Sequence, residues 1–384
     1  MRAFIFTRLF IIVMGGMGLV SLAFLLVRKQ ADPMLTGLEA LLVVYCGAAF
    51  LWARSKRIDS VMILQGSLAL YLICSWLYAV VYRQANVLDF LMIYKSFVYL
   101  FLLTFLTDKR LMTARSVVNF YTVLLGIFFL KYLLAFVLGT DDRPIVYEEN
   151  NFELMLLYAL FLVRYRITSE KSLLIMAVLA GITLLSLSRS SLLMYSILVL
   201  YVFIKSFPKT WVFIVPVASA ILGLVIFYIF SQRSGSLEEI DRYKFMLVFW
   251  SEVKDWNAWQ WLTGNERITP LSYYSCADMS YFKRLFSYSG DGTCYSVVLH
   301  SFLLRVILDH GLLGLIFIIY ATWLMLHKSG MEKDTILVFV AIVIINGLSV
   351  SSFNNLFFAI SMVFLMTTNV TMLKRDIHAD PESG

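Results

Sequence analysis

Apolar runs close to twenty residues long recur from one end of this chain to the other, and no other feature narrows its fold so far. About 20 consecutive apolar residues let a helix cross the hydrocarbon core of a bilayer. There only helices and closed barrels satisfy their own backbone groups. The runs are continuous and do not alternate apolar with polar, so a barrel is excluded. Charged residues make up 15% of the chain and hydrophobic ones 60%, whereas a soluble domain carries roughly 25% charge. The fold class is therefore an all-α, polytopic membrane protein, a single integral membrane domain over residues 1–384. Spans are expected near 9–27, 35–53, 61–82, 88–106, 116–138, 151–163, 173–188, 190–207, 211–230, 311–326, 335–350 and 355–372. The first is read as a transmembrane helix and not a removed signal, because Arg28 and Lys29 follow it without a small-residue cleavage site.

The net charge of +7 does not point to nucleic acid, since its Lys and Arg sit in short loops between spans. With the N-terminus inside, basic clusters such as Arg54, Lys56 and Arg57, or Arg164, Arg166 and Lys171, fall on the cytoplasmic side. The opposite short loops hold isolated residues such as Arg83 and Arg143. That bias orients twelve spans with both termini in the cytoplasm. Four features then face outward: the acidic loop Thr140–Asn150, the turn Ser188–Arg189–Ser190–Ser191, the long segment 231–298, and His300. ATP and nucleotide-sugars are not available on that side, and no phosphate-binding glycine loop occurs in the sequence.

Segment 231–298 is too aromatic for a linker. Ser236–Glu239 has the form of a capping box. Ile240, Tyr243, Leu247, Trp250 and Val253 then follow at helical spacing, an amphipathic helix lying on the membrane surface or on the bundle. Four tryptophans fall here, Trp250, Trp256, Trp259 and Trp261. Interfacial anchoring is the economical reading; stacking on sugar rings, for Trp261 among them, is the sharper one. Residues 270–295 form an ordered loop or lid. Cys276 and Cys294 lie in this outer, oxidising segment and are expected to pair. Closing their loop is worth about 3 kcal/mol in the chain-entropy picture.

Arg189 stands between two apolar spans, where a charge is costly and is paired, snorkelling or functional. As a functional group it is a phosphate clamp, because guanidinium binds phosphate oxygens in a bidentate fork. Arg242 reads either as a second clamp or as a solvated partner of Glu238 or Glu239. Lys95 and Lys131 fall within spans, the latter toward the outer half where it could meet a sugar. His300 opens a stretch in which Arg305 and Asp309 stand four residues apart and Gly311 and Gly314 start the next span. His310, beside Asp309, reads as a bystander that tolerates Ala. No metal-ligand spacing is visible in the outer loops.

Taken in order, Ser188-Arg189 before Leu192-Leu193, Arg242 with Trp250, Trp261-Leu-Thr-Gly264, and His300-Ser-Phe-Leu followed by Gly311-Leu-Leu-Gly-Leu315 resemble the O-antigen polymerase and O-antigen ligase superfamily. The resemblance covers roughly residues 180–325. Ser301 stands where the family often has Asn. It implies a GT-C-like glycosyltransferase, without metal or other cofactor, that acts on undecaprenyl-pyrophosphate-linked glycans at the periplasmic face of the bacterial inner membrane. Arg189 and Arg242 would bind the donor pyrophosphate and His300 would be the general base. Ser301, Arg305, Trp261 and Lys131 are candidate acceptor or sugar contacts. The implied partners are lipid-linked glycans, the bilayer, a chain-length regulator and a flippase. A polymerase of oligosaccharide repeats is the leading expectation. A ligase that moves finished glycan onto lipid A-core or protein is the near rival, and a multi-span transporter or lipid flippase is the alternative from another class.

Overall fold

A computed structural model describes residues 2–26, 35–53, 58–139, 144–168, 172–206 and 241–369. The described residues are helical almost throughout. In chain order the first half runs α1 (Arg2–Leu26), α2 (Leu35–Trp52), α3 (Asp59–Trp76), α4 (Val87–Thr104), α5 (Ala114–Val137), α6 (Asn150–Thr168), α7 (Leu173–Leu185) and α8 (Arg189–Ser206). A π-helical turn, Leu77–Tyr82, extends α3. Then come α9 (Asp241–Val253), α10 (Ala258–Thr263), α11 (Tyr273–Asp278), α12 (Phe302–Lys328), α13 (Lys333–Ser349) and α14 (Leu356–Thr367). The expected spans coincide with these helices except the ninth, 211–230, which lies outside the described residues together with the Ser236–Glu239 capping box.

Six of the helical stretches are long and apolar enough to cross a membrane: Ile5–Leu25, Asp59–Tyr82, Val87–Thr104, Ala114–Val137, Arg189–Ser206 and Phe302–Lys328. Shorter apolar helices are Thr36–Trp52, Leu173–Leu185 and Leu356–Thr367. The protein is thus a helical membrane protein. The sixth and twelfth expected spans differ from the rest. α6 is buried from Asn150 through Arg164, and α14 is buried over its whole length. A helix that is apolar all round belongs in the middle of a bundle, and these two pack against each other as its axis. At one end of that axis Met112–Thr113 pairs in parallel with Thr368–Asn369. That pair is the only strand pairing among the described residues.

At the other end of the bundle sits the segment 241–299, with a small core of its own. Phe245, Val248, Phe249 and Val253 of α9 pack with Leu271, Met279, Cys294, Val298 and Leu299. Cys276 and Cys294 are disulfide-bonded, with a Cα–Cα distance of 5.7 Å. Of the expected stripe Ile240, Tyr243, Leu247, Trp250 and Val253, Ile240 lies outside the described residues and Val253 joins this core, whereas Tyr243, Leu247 and Trp250 do not. Those three are 41%, 51% and 62% exposed, because the Phe245 face is equally apolar and the loop's own core takes it. α10 starts at a capping box in which Asn257 and Gln260 exchange side-chain bonds to each other's backbone.

Side-chain bonds fasten this segment to the helices. Asp89, in the first turn of α4, accepts bonds from the Ser287 hydroxyl (2.6 Å) and the Tyr288 N–H (3.1 Å). Ser296 donates to Asp309, and Arg83 pairs with Glu266 at 3.0 Å. The tightest crossing is glycine on glycine. Gly311, at φ +65°, interrupts α12, and a Cβ there would overlap the Leu262 carbonyl. A Cβ on Gly264, at φ +77°, would lie 2.6 Å from the Gly311 nitrogen. The Trp261-Leu-Thr-Gly264 and Gly311 motifs are therefore two sides of one close approach, which side chains would prevent.

Candidate functional site

The site is built at the end of the bundle where α6, α8, α12 and α14 begin and α7 and α13 end. Its centre is the turn between α13 and α14. There Ser351 links two of the sequence's candidates: Arg305 donates to the Ser351 hydroxyl at 2.6 Å, and that hydroxyl donates to the His300 carbonyl at 3.0 Å. The Ser301 hydroxyl donates to the Gly347 carbonyl at 3.1 Å, and the Phe302 N–H to the Val350 carbonyl at 3.2 Å. The start of α12 is thus seated on the end of α13. His300 itself adopts φ +50°, a left-handed backbone uncommon for a residue with a side chain and sustained only where its surroundings over-determine it. Its ring lies between Phe245 (centroids 5.7 Å apart) and Phe282 (5.3 Å) and remains half-buried.

The turn that carries Arg189 connects to the same region through Asn151. Arg189 is half-buried and is the first residue of α8, at a helix N-terminus, whose dipole favours anions. Ser188 caps that helix by accepting the Ser191 N–H at 3.2 Å. The hydroxyls of Ser188 and Ser190 both donate to the Asn151 side-chain oxygen. Asn346, near the end of α13, donates to the Asn151 carbonyl at 3.2 Å. So the His300 turn is seated directly on residues 347–351, and the Arg189 turn is linked to Asn346 through Asn151. Leu187, two residues before Arg189, is another non-glycine at positive φ (+52°). Buried polar atoms without a hydrogen-bond partner gather here too: Arg305 Nε, Asn346 Oδ1 and Ser352 Oγ. Each such group costs about 1–3 kcal/mol.

Arg242 lies exposed on the first turn of α9, three residues before the Phe245 that packs on His300. The other sequence candidates are spent on structure. Arg305 is buried, with its second donor on the Met92 carbonyl (3.2 Å), and holds the His300 turn where a sugar contact was expected. Ser301 is buried on Gly347. Lys131 does not open on to the site: its ammonium is buried and donates to the Ser21 hydroxyl and the Ile145 carbonyl. Trp261 packs edge-on against Trp256 at 5.4 Å inside the loop core, while Trp250 and Trp259 are the exposed tryptophans of this segment.

His310 is no bystander. It is buried in the kink of α12, in edge contact with Tyr94 (5.0 Å) and Phe97 (4.7 Å), and its Nδ1 is 2.8 Å from the Tyr71 hydroxyl. A cavity of about 360 Å³, lined by residues including Phe50, Ile58, Thr107 and Lys109, opens at the far end of α4 and takes no part in this site.

Two polar groups near the turn, Asn354 and Asn355, have no place in the sequence expectation, and a third, Lys95, gains a partner there. Asn354 spans a turn of α4, accepting the Ser96 N–H at 3.0 Å and donating to the Met92 carbonyl at 3.3 Å. Asn355 caps α14 by accepting the Phe357 N–H and donates to Glu148 at 2.7 Å. Lys95, whose partner no sequence pattern indicates, pairs with Glu39 of α2. The polar run Ser351-Ser352-Phe-Asn-Asn355 between two apolar spans is the signal that marks the turn. No family model matches this chain, and no curated protein does.

Proposed function

We propose that the protein is a glycosyltransferase that joins lipid-pyrophosphate-linked oligosaccharide repeats into a polysaccharide, a polymerase of the O-antigen, capsule or exopolysaccharide kind, working at the periplasmic face of a bacterial inner membrane. The observation that carries this reading is that the His300 turn bonds to Gly347 and Ser351 while the Arg189 turn is linked, through Asn151, to Asn346 of the same helix end. α9, which packs on His300 through Phe245, carries Arg242 three residues earlier. In the reaction an acceptor sugar hydroxyl attacks the anomeric carbon of the donor. The bond from that carbon to the pyrophosphate oxygen breaks, and its electron pair leaves with the pyrophosphate. The hydroxyl proton passes to the His300 imidazole, whose neutral form can accept it. Arg189, at a helix N-terminus, and Arg242 offset the growing negative charge. A single displacement inverts the anomeric centre.

The sugar-chain ladder of a strain lacking the protein tests this. Single repeats on every acceptor support a polymerase, and long chains stranded on the lipid carrier point to a ligase. Arg189→Lys keeps the charge but loses the fork. It should lower chain extension at least tenfold at equal protein level, as should Arg242→Ala. Full activity in both variants removes the clamp. A second reading has observations of its own. The break of α12 at Gly311 and the Lys95–Glu39 pair between α4 and α2 are features of transporters. For a transporter the deletion strain keeps its lipid-linked repeats on the cytoplasmic leaflet, and neither reading of the ladder appears.

A further inference from the structure

The connection between α5 and α6 is held by more buried charge than a loop requires. The Glu153 carboxylate, fully buried in the first turn of α6, accepts the N–H groups of Val146 (2.9 Å), Tyr147 (2.6 Å) and Glu148 (2.6 Å). Lys131, buried in α5, holds the Ile145 carbonyl, and the Tyr147 hydroxyl donates to the Met14 carbonyl at 2.8 Å. Charges inside a membrane bundle are expensive and mark function, and rigid support is what a binding group needs. What this loop presents is Glu148.

Glu148 accepts the Asn355 amide at 2.7 Å and lies in the field of Lys95. Lys95 pairs with Glu39, stands 5.6 Å over the Tyr99 ring, and Tyr99 donates to Glu39 at 2.9 Å. The Glu39 and Lys95 side chains keep 35% and 25% of their surface exposed, so the cluster is open. Asn355 and Ser351 are the two ends of one short turn, and Ser351 holds the His300 carbonyl. At about 2 Å rise per residue of 3₁₀ turn the two anchor points are roughly 8 Å apart. Between them the Ser352 hydroxyl is buried without a hydrogen-bond partner.

We propose that Glu148, with Asn355 and the Lys95–Glu39 pair, forms a subsite that takes hydroxyl groups of the acceptor sugar beside His300, an inference that rests on the glycosyl-transfer reading. A carboxylate accepts two hydroxyls, an amide donates and accepts, and an ammonium donates. That set suits a neutral polyol. The donor pyrophosphate belongs elsewhere, because Glu39, Glu148 and Glu149 outnumber Lys95 and repel it. No bond is made or broken at this subsite. Burial pushes the Glu148 carboxyl up to about 7, Asn355 and Lys95 acting against the rise and Glu149 and Glu153 adding to it. The hydroxyl-binding carboxylate is therefore present above that pH and lost below it.

The test counts lipid-linked repeats, extracted from a strain lacking the protein, on the purified full chain by native mass spectrometry. Wild type is expected to bind two copies, donor and acceptor. Glu148→Gln should keep the first and lose the second at least tenfold, with unchanged melting, because Glu153 and Lys131 still lock the loop. Occupancy of the second site in wild type should fall as pH drops from about 8 to about 6, across the Glu148 titration. In Glu148→Gln it should not change. Glu148→Asp withdraws the carboxylate by one methylene and gives the same loss if the Gln variant melts early. Two copies on Glu148→Gln, as on wild type at both pH values, overturn the subsite alone. A wild type that binds no lipid-linked repeat overturns it together with the glycosyl-transfer reading.

Discussion

His300 and His310 flank the same short stretch of chain and live in opposite surroundings. His310 is buried at a helix break, ringed by Tyr71, Tyr94 and Phe97, with Nδ1 at the Tyr71 hydroxyl. His300 lies on a left-handed turn, half-buried between two aromatic rings, its backbone fixed through Ser351 by Arg305. Both imidazoles touch aromatics, so contact type does not separate them. What separates them is where the rigidity is spent. Around His310 it closes the ring off. Around His300 it fixes the backbone and leaves the ring reachable, which is how a group that must meet a substrate has to be held.

Gly311→Ala should show the largest effect on the buried side. The added Cβ meets the Leu262 carbonyl at a φ that suits only glycine, so a loss above about 4 kcal/mol is expected, read as failure to recover folded protein in detergent. His310→Ala opens a cavity and takes one hydrogen-bond partner from the Tyr71 hydroxyl, at about 3 kcal/mol; an unshifted melting temperature would return His310 to the status of bystander. Cys276→Ser removes the bond that closes the loop carrying Phe282, whose sequence separation is 18. It should cost about 2–4 kcal/mol, with the transition confined to the outer segment in hydrogen exchange. Arg83→Ala deletes an exposed ion pair with Glu266 and should stay below about 1 kcal/mol. A larger drop there would mean that the outer segment is pinned by its rim and not by the Gly264–Gly311 crossing.

The contrast between the histidines also marks what the sequence could not say. The spans were readable because a run of apolar residues declares a helix wherever it lands. Whether lipid or protein covers that helix is not in the run, so α6 and α14 read like the others although they form the buried axis. His300 was picked out by position and His310 dismissed by position, yet burial comes from Tyr71 and Tyr94, more than two hundred residues earlier in the chain. Lys131 read as a charge within a span with an open role, and Glu153 drew no reading of its own. Their roles are set by the backbone of residues 145–148, which only folding brings to them. The glycines at 264 and 311 were visible as motif letters, and their reason, mutual approach, was not.

The central claim is that the His300 ring takes a proton while its surroundings merely hold it. His300→Gln keeps a polar side chain on the same turn but cannot act as the base. Membranes loaded with lipid-linked repeats should be followed for chain extension alongside the melting temperature of the purified variant. Extension should fall about a hundredfold or more, with repeats accumulating and the melting temperature unchanged. Extension by His300→Gln at near the wild-type rate would contradict it.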